Sequence, residues 1–271
     1  MTPIADADLR PQRANHQALS PLSFVKRSAE VFAGLPAVVH GARRYSWAQT
    51  HERSARLAAA LQALGVGRGH VVSTLLPNTL EMVEAHYAVP GLGAVLNTLN
   101  TRLDAPLLAW QMNHCEAAVL ITDREFAPVA AAAIRALREQ HGRELQVIDV
   151  CDSEYGGAGE RVGTHEYEAL LAAHAPLADW PGPADEWDAI AVSYTSGTTG
   201  DPKGVVTHHR GAYLNAVCNA VTWTMPQFPK YLWTLPIILT RFGATLCLYL
   251  TESEPTYGGQ AAFFAPTYWQ T

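Results

Sequence analysis

The chain has 271 residues, 48% of them hydrophobic, and a formal net charge of −6. That apolar fraction suffices for one large domain or two of ordinary size. Nineteen scattered Lys and Arg against 25 acids form no basic patch, which excludes nucleic acid and an anionic membrane surface as expected partners. Cys115, Cys151, Cys218 and Cys247 stand far apart with no C-x-x-C pair, so neither a zinc knuckle nor a compact disulfide framework is expected. Reduced thiols point to the cytoplasm. The first eight residues carry acids where a secretory signal needs basic residues and then an apolar run. The apolar stretch from Ile237 to Leu250 is interrupted by Arg241 and falls short of the roughly 20 residues that span a bilayer, so no transmembrane segment is expected.

From Ser20 to Val150 helical and strand periodicities alternate. Pro21 after Ser20 starts a helix that runs to about Phe32. Ser46 and Gln49 have the spacing of a capping box for a helix with Leu57, Leu61 and Leu64 on one face, and Gly65 ends it. Val71 to Leu76 reads as a strand, Thr79 to Val89 as a helix, and Ala94 to Leu96 as a strand. Asp104 caps the next helix, with Pro106 in its first turn. Ala117 to Thr122 and Leu145 to Val150 are further strands, separated by a helix over Pro128 to Gln140. Such units imply an α/β fold: a doubly wound, mostly parallel sheet with flanking helices. Ser153 to Gly163 is a Gly- and Glu-rich surface excursion, and Ala175 to Asp188, with three prolines, is a connector.

The connector leads to Tyr194-Thr195-Ser196-Gly197-Thr198-Thr199-Gly200-Asp201-Pro202-Lys203-Gly204. Glycines let the backbone approach an anion, while N–H groups and the hydroxyls of Thr195, Ser196, Thr198 and Thr199 donate to phosphate oxygens. Lys203 adds a cation suited to the outer phosphates of a nucleotide. Ala189 to Tyr194 enters as a strand and Gly204 to His208 leaves as one, so the loop is expected at the tip of a hairpin. A Walker-type loop is excluded, because Lys203 is followed by Gly204 and not by Ser or Thr. The dinucleotide fingerprint fails as well, since a third glycine at the right offset and a following helix are both lacking. A bare surface turn seldom carries so many phosphate donors together with a lysine.

Thr195-Ser196-Gly197-Thr198-Thr199-Gly200-x-Pro202-Lys203-Gly204 resembles the signature loop of the adenylate-forming (AMP-binding) superfamily, which includes acyl-CoA synthetases, luciferases and peptide-synthetase adenylation domains. Tyr45-Ser46-Trp47, Leu75-Leu76-Pro77-Asn78 and Leu96 to Leu103 are similar to the same superfamily. The last is most like short- and medium-chain acyl-CoA synthetases, including the methylthiopropionate–CoA ligase type. The resemblance covers roughly Leu19 to Pro236. It implies ATP-dependent conversion of a carboxylic (fatty) acid through acyl-AMP to acyl-CoA, with ATP, Mg2+ and coenzyme A. Thr195, Ser196, Gly197, Thr198, Thr199, Gly200 and Lys203 would bind the ATP phosphates.

The resemblance also implies an incomplete version of the large N-terminal domain. The family's catalytic lysine, its adenine and ribose contacts and the acidic magnesium ligand are absent, so the catalytic residues are unknown. Residues 1–18 are read as a tail, 19–236 as a partial AMP-binding domain, and 237–271 as an aberrant or frame-shifted tail. On that reading the chain itself is catalytically incompetent. The alternative is a non-catalytic remnant or interaction domain that keeps the phosphate-loop fold. An unpaired strand edge near Leu232 to Leu239 is expected to promote self-association.

Other candidates read as structural. Asn100 is expected to make a turn and Arg102 to pair with a surface acid, although Arg102 at a strand end could face a ligand crevice. Adjacent side chains of His208, His209 and Arg210 point to opposite faces and cannot close on one metal ion. His209 is placed near the start of a helix over Gly211 to Thr222, with Arg210 solvated. Trp223, Tyr231 and Trp233 are expected in the core, with an acyl pocket as the alternative.

Overall fold

The computed structural model of the chain describes residues 11–12, 14–157, 159–195, 202–222, 224–226 and 228. The chain opens with helix α1 (Leu22–Val31) and a two-stranded antiparallel ribbon, β1 (Pro36–His40) and β2 (Arg43–Ser46), turning at Gly41 with φ 55°. Helix α2 (Trp47–Ala63) follows. Its capping box is complete: Gln49 N–H donates to Ser46 Oγ at 3.3 Å, and Ser46 N–H donates to Gln49 Oε1 at 2.8 Å. Ser46→Ala should cost about 1 kcal/mol. Urea unfolding checks this, and an unchanged midpoint would show that packing alone fixes the start of α2.

The main sheet is built from β3 (Val71–Leu75), β4 (Val95–Thr98), β5 (Ala117–Asp123), β6 (Gln146–Val150), β7 (His165–Glu166), β8 (Ala189–Thr195) and β9 (Lys203–His208). Its strand order is β7-β6-β5-β3-β4-β8-β9, and all pairs are parallel except β8 with β9. This is the expected mostly parallel α/β sheet. Helices α3 (Leu80–Gly91), α4 (Ala105–His114), α5 (Ala127–His141), α6 (Tyr167–Ala173) and α7 (His209–Thr222) connect or follow the strands.

Two cores sandwich the sheet. On one face α2 and α3 pack with Leu57, Leu61, Val83, Tyr87, Leu96 and Ile121, and every residue of α3 is buried. On the other, α4 and α5 pack Leu108, Met112, Ala130 and Leu137 against Leu75 and Leu120. The chain thus leaves β3 toward one face and β4 toward the other. Adjacent strands whose exits diverge leave a crevice at their carboxyl ends, where open α/β sheets bind ligands. Here that point lies between Leu76-Pro77-Asn78 and Leu99 to Asp104. Gly93, at φ 70°, lets the chain turn into β4 under the connector: an added Cβ would lie 2.6 Å from the Gly182 carbonyl oxygen.

The ribbon, β7 and α6 were not visible in the periodicity. The first is held by charge. Arg43 donates to Glu81 and to Asp152, and Asp152 also meets the buried His40 ring at 2.7 Å. Beside it Arg53, on α2, pairs with the buried Glu84 and with Glu168, and Tyr167 O–H donates to Glu84 at 2.6 Å. Arg124 N–H groups donate to the Asp152 and Tyr155 carbonyls, and the Val162 and Gly163 N–H groups donate to the Asp149 carboxylate, so the excursion after β6 is tied to the sheet. Among the described residues no helix is long and apolar enough to cross a membrane. Trp223, Tyr231, Trp233, the Leu232–Leu239 edge and the tail from 237 lie outside the described residues. Among the described residues β9 is the last strand of the sheet, and its Val205 and Val206 are exposed.

Candidate functional site

Strands β8 and β9 form the expected hairpin. Its register pairs Val192 with Val206, Ser193 with Val205, Tyr194 with Gly204 and Thr195 with Lys203. Thr195 and Lys203, both exposed, are therefore the last paired residues on the two sides of the loop. Ser196, Gly197, Thr198, Thr199 and Gly200 lie outside the described residues. Because β8 is parallel to β4, the loop leaves the same carboxyl edge that holds the β3–β4 crevice. Lys203 makes no ion pair with a described acid, so its ammonium is available to an anion. Facing strand ends with a free lysine suit a phosphate chain.

One support for the hairpin comes from its middle. The Tyr194 hydroxyl lies 2.7 Å from His114 Nδ1, and Trp110 stacks on the His114 ring with centroids 4.9 Å apart. Burial, aided by the adjacent Cys115 thiol, raises the Tyr194 pKa, so the phenol stays neutral. In β4 the Asn97 amide donates to Ser73 Oγ at 2.9 Å. The i, i+4 pair Trp110 and His114 was the available sequence signal for this clamp.

The second support grips the base. His209 begins α7, is fully buried, and its Nδ1 lies 2.8 Å from Ser20 Oγ. Burial lowers its pKa to about 4 and keeps the ring neutral. Arg210 is not simply solvated as expected; it pairs with Glu186, which also accepts Leu19 N–H at 2.9 Å. Asn100 does make a turn, accepting Arg102 N–H at 3.0 Å. Arg102 is exposed at the crevice edge and pairs with no described acid, contrary to the surface ion pair expected of it.

A groove of about 330 Å³ lies elsewhere, between α2 and α6, lined by Tyr45, Arg53, Arg56 and Glu168 among others. Its charged walls already pair with one another, which leaves the sheet edge as the better candidate. No group of three or more His, Cys, Asp or Glu among the described residues could hold a metal ion.

Residues 25–257 match the protein family described as AMP-binding enzyme. The chain belongs to that family. The AMP-binding match runs past Pro236, where the sequence resemblance was expected to stop. A peroxisomal acetate/butyrate–CoA ligase of Arabidopsis thaliana is 44% identical over 268 residues, covering 92% of this chain and 47% of the relative. An acetate–CoA ligase of Humulus lupulus is 40% identical over 274 residues, covering 94% and 48%. This AMP-binding chain thus spans about half the length of the curated relatives it matches. Among solved structures, an anthranilate–CoA ligase in complex with anthranoyl-AMP matches its fold with a TM-score of 0.74 at 21% identity, over 95% of this chain and 47% of that one. The o-succinylbenzoate–CoA synthetase of Bacillus subtilis, bound to its acyl-adenylate intermediate, gives 0.63 at 25% identity, over 79% and 50%.

Proposed function

We propose that this domain serves ATP-dependent activation of a short- or medium-chain carboxylic acid, first to acyl-AMP and then to acyl-CoA. The observation that carries the reading is the register placing Thr195 opposite Lys203 at the carboxyl edge, beside the β3–β4 crevice. The CoA ligases among the relatives support coenzyme A as the acceptor. A carboxylate oxygen forms a bond to the α-phosphorus of ATP as the bond to pyrophosphate breaks. The coenzyme A sulfur then attacks the acyl carbon, its proton passes to solvent, and AMP leaves.

Lys203, with the hydroxyls and N–H groups of Thr195 to Gly200, would hold the departing pyrophosphate as its charge develops. Magnesium would supply further charge neutralisation to the triphosphate, although no group of three or more His, Cys, Asp or Glu among the described residues could hold it. Catalytic incompetence of residues 1–271 by themselves belongs to the same proposal, as does cytoplasmic residence, although several relatives are named as peroxisomal. A frame-shifted tail over 237–271 remains proposed, against which the family match to residue 257 counts. Sequencing the gene across the Pro236 codon and beyond decides this.

The test uses a chimera in which the second half of the Arabidopsis thaliana acetate/butyrate–CoA ligase completes this chain. Lys203→Ala should weaken ATP in pyrophosphate exchange by about 1.5–3 kcal/mol, the loss of a charge-assisted hydrogen bond, and leave acid affinity unchanged. Unchanged exchange at limiting ATP would rule out the role of Lys203. Release of AMP with a carrier protein but none with coenzyme A would overturn the thioester assignment. A second reading, a non-catalytic interaction domain, is favoured by one observation: among the described residues β9 has no second neighbour and exposes Val205 and Val206, a surface suited to self-association.

A further inference from the structure

The β8–β9 hairpin is attached to the rest of the sheet by a short seam. Only Leu96 with Ala191 and Asn97 with Val192 are in register between β4 and β8, and β9 has no second neighbour among the described residues. Beyond its pairing with β8 and the Tyr194–His114 contact, what holds β9 along its axis lies at its far end, where α7 begins. There the segment from Leu19 to Phe24 converges on the first turn of α7. Ser20 meets His209, Leu19 shares the Glu186 carboxylate with Arg210, and the Phe24 ring stacks on Tyr213 with centroids 4.7 Å apart. The His209 and Arg210 N–H groups also donate to the Asp188 and Glu186 carbonyls at 3.1 and 2.8 Å.

A buried Ser–His contact also invites a nucleophilic reading. Burial argues against it, because both side chains are enclosed and no reactant can reach Ser20 Oγ. No described carboxylate orients the remaining ring nitrogen. Ser20 Oγ already accepts Leu22 N–H at 3.3 Å, which leaves its hydroxyl hydrogen to point at His209 Nδ1.

We propose that Ser20 and His209 are a positioning pair for the phosphate hairpin. By fixing where β9 ends, 189 residues away in sequence from Ser20, the pair sets the height at which Lys203 stands above the sheet edge. This inference rests on the hairpin's binding phosphate. At about 3.3 Å per residue, β9 is a stiff rod between the two sites, and a shift at His209 is carried to Lys203.

The experiment titrates residues 1–271 with inorganic pyrophosphate and with ATP by calorimetry, alongside urea unfolding. Ser20→Ala and His209→Ala should weaken both ligands by about three- to tenfold, the loss expected for one net hydrogen bond. His209→Asn, whose amide oxygen can accept from the Ser20 hydroxyl in place of Nδ1, should recover most of the affinity. Ser46→Ala, at the distant α2 cap, should lower stability and leave affinity unchanged, which separates positioning from general loosening. Loss of binding in Lys203→Ala, with Ser20→Ala and His209→Ala at wild-type affinity, overturns the positioning pair alone. So does a loss in Ser46→Ala equal to that in Ser20→Ala, or a failure of His209→Asn to recover affinity. A wild-type chain that binds neither ligand, or a Lys203→Ala chain that binds both normally, sinks the phosphate reading and this inference with it.

Discussion

Acid-dependent ATP–pyrophosphate exchange by residues 1–271 alone is expected to fall far below about 1 per second, the lower end of ordinary enzyme turnover. On the proposed reading, Lys203 and the donors expected from Thr195 to Gly200 would suffice to hold pyrophosphate. Holding the acid and the α-phosphorus in line is a separate task, and positioning alone accounts for roughly 7–11 kcal/mol of a barrier. The chain spans about half the length of its ligase relatives. Assay of the purified polypeptide against a panel of carboxylic acids checks this. Turnover at about 1 per second or faster would show that the chain needs no further part.

Arg53→Met should cost about 1.4 kcal/mol more stability at pH 8 than at pH 5, because it strands the buried Glu84 carboxylate one pH unit above its folded pKa of about 7. Methionine keeps the aliphatic stem and removes the guanidinium, which lies over the Tyr45 ring and bonds Glu84 and Glu168. The cost has a definite pH dependence. Burial raises the Glu84 pKa from 4.5 to about 7 in the folded protein, against the pull of Arg53. A carboxyl whose folded pKa is raised favours folding fully below its unfolded pKa, and that contribution is lost as pH rises through the folded value. With Arg53 gone the charged form loses its partner, so the variant should approach wild-type stability near pH 5 and fall away above pH 7. Urea unfolding across that range tests it; an equal deficit at pH 5 and pH 8 would show that lost packing, not charge, dominates.

Much of this architecture could be read from local pattern. Asp104 and Ser46 announce their helices because a cap bonds within three residues, and β3 and β5 read as strands because both faces are buried. The hairpin around Thr195 and Lys203 was legible for the same reason, its turn chemistry being contained in a dozen residues. What escaped depends on distant partners. Pro36–His40 and Arg43–Ser46 are short and partly charged, and the ribbon is held by Arg43 reaching Glu81 and Asp152, 38 and 109 residues away. The two-residue β7 has no periodicity to show. Arg210 looked like a solvated helix residue until Glu186 folded against it, and nothing near Ser20 signals His209.

The sheet order also dictates a sequence of events on the ribosome. Strand β3, the first of the seven to be made, lies inside the sheet, and β4, β5 and β6 flank it on both sides before Ala189 has been synthesised. A parallel core of four strands with α2 to α5 on its faces can therefore close while the hairpin is still in the exit tunnel or unmade. The β8–β9 edge is then appended to a finished platform. It joins through the seam on β4, and its far end meets an α1 that has waited since the start of translation.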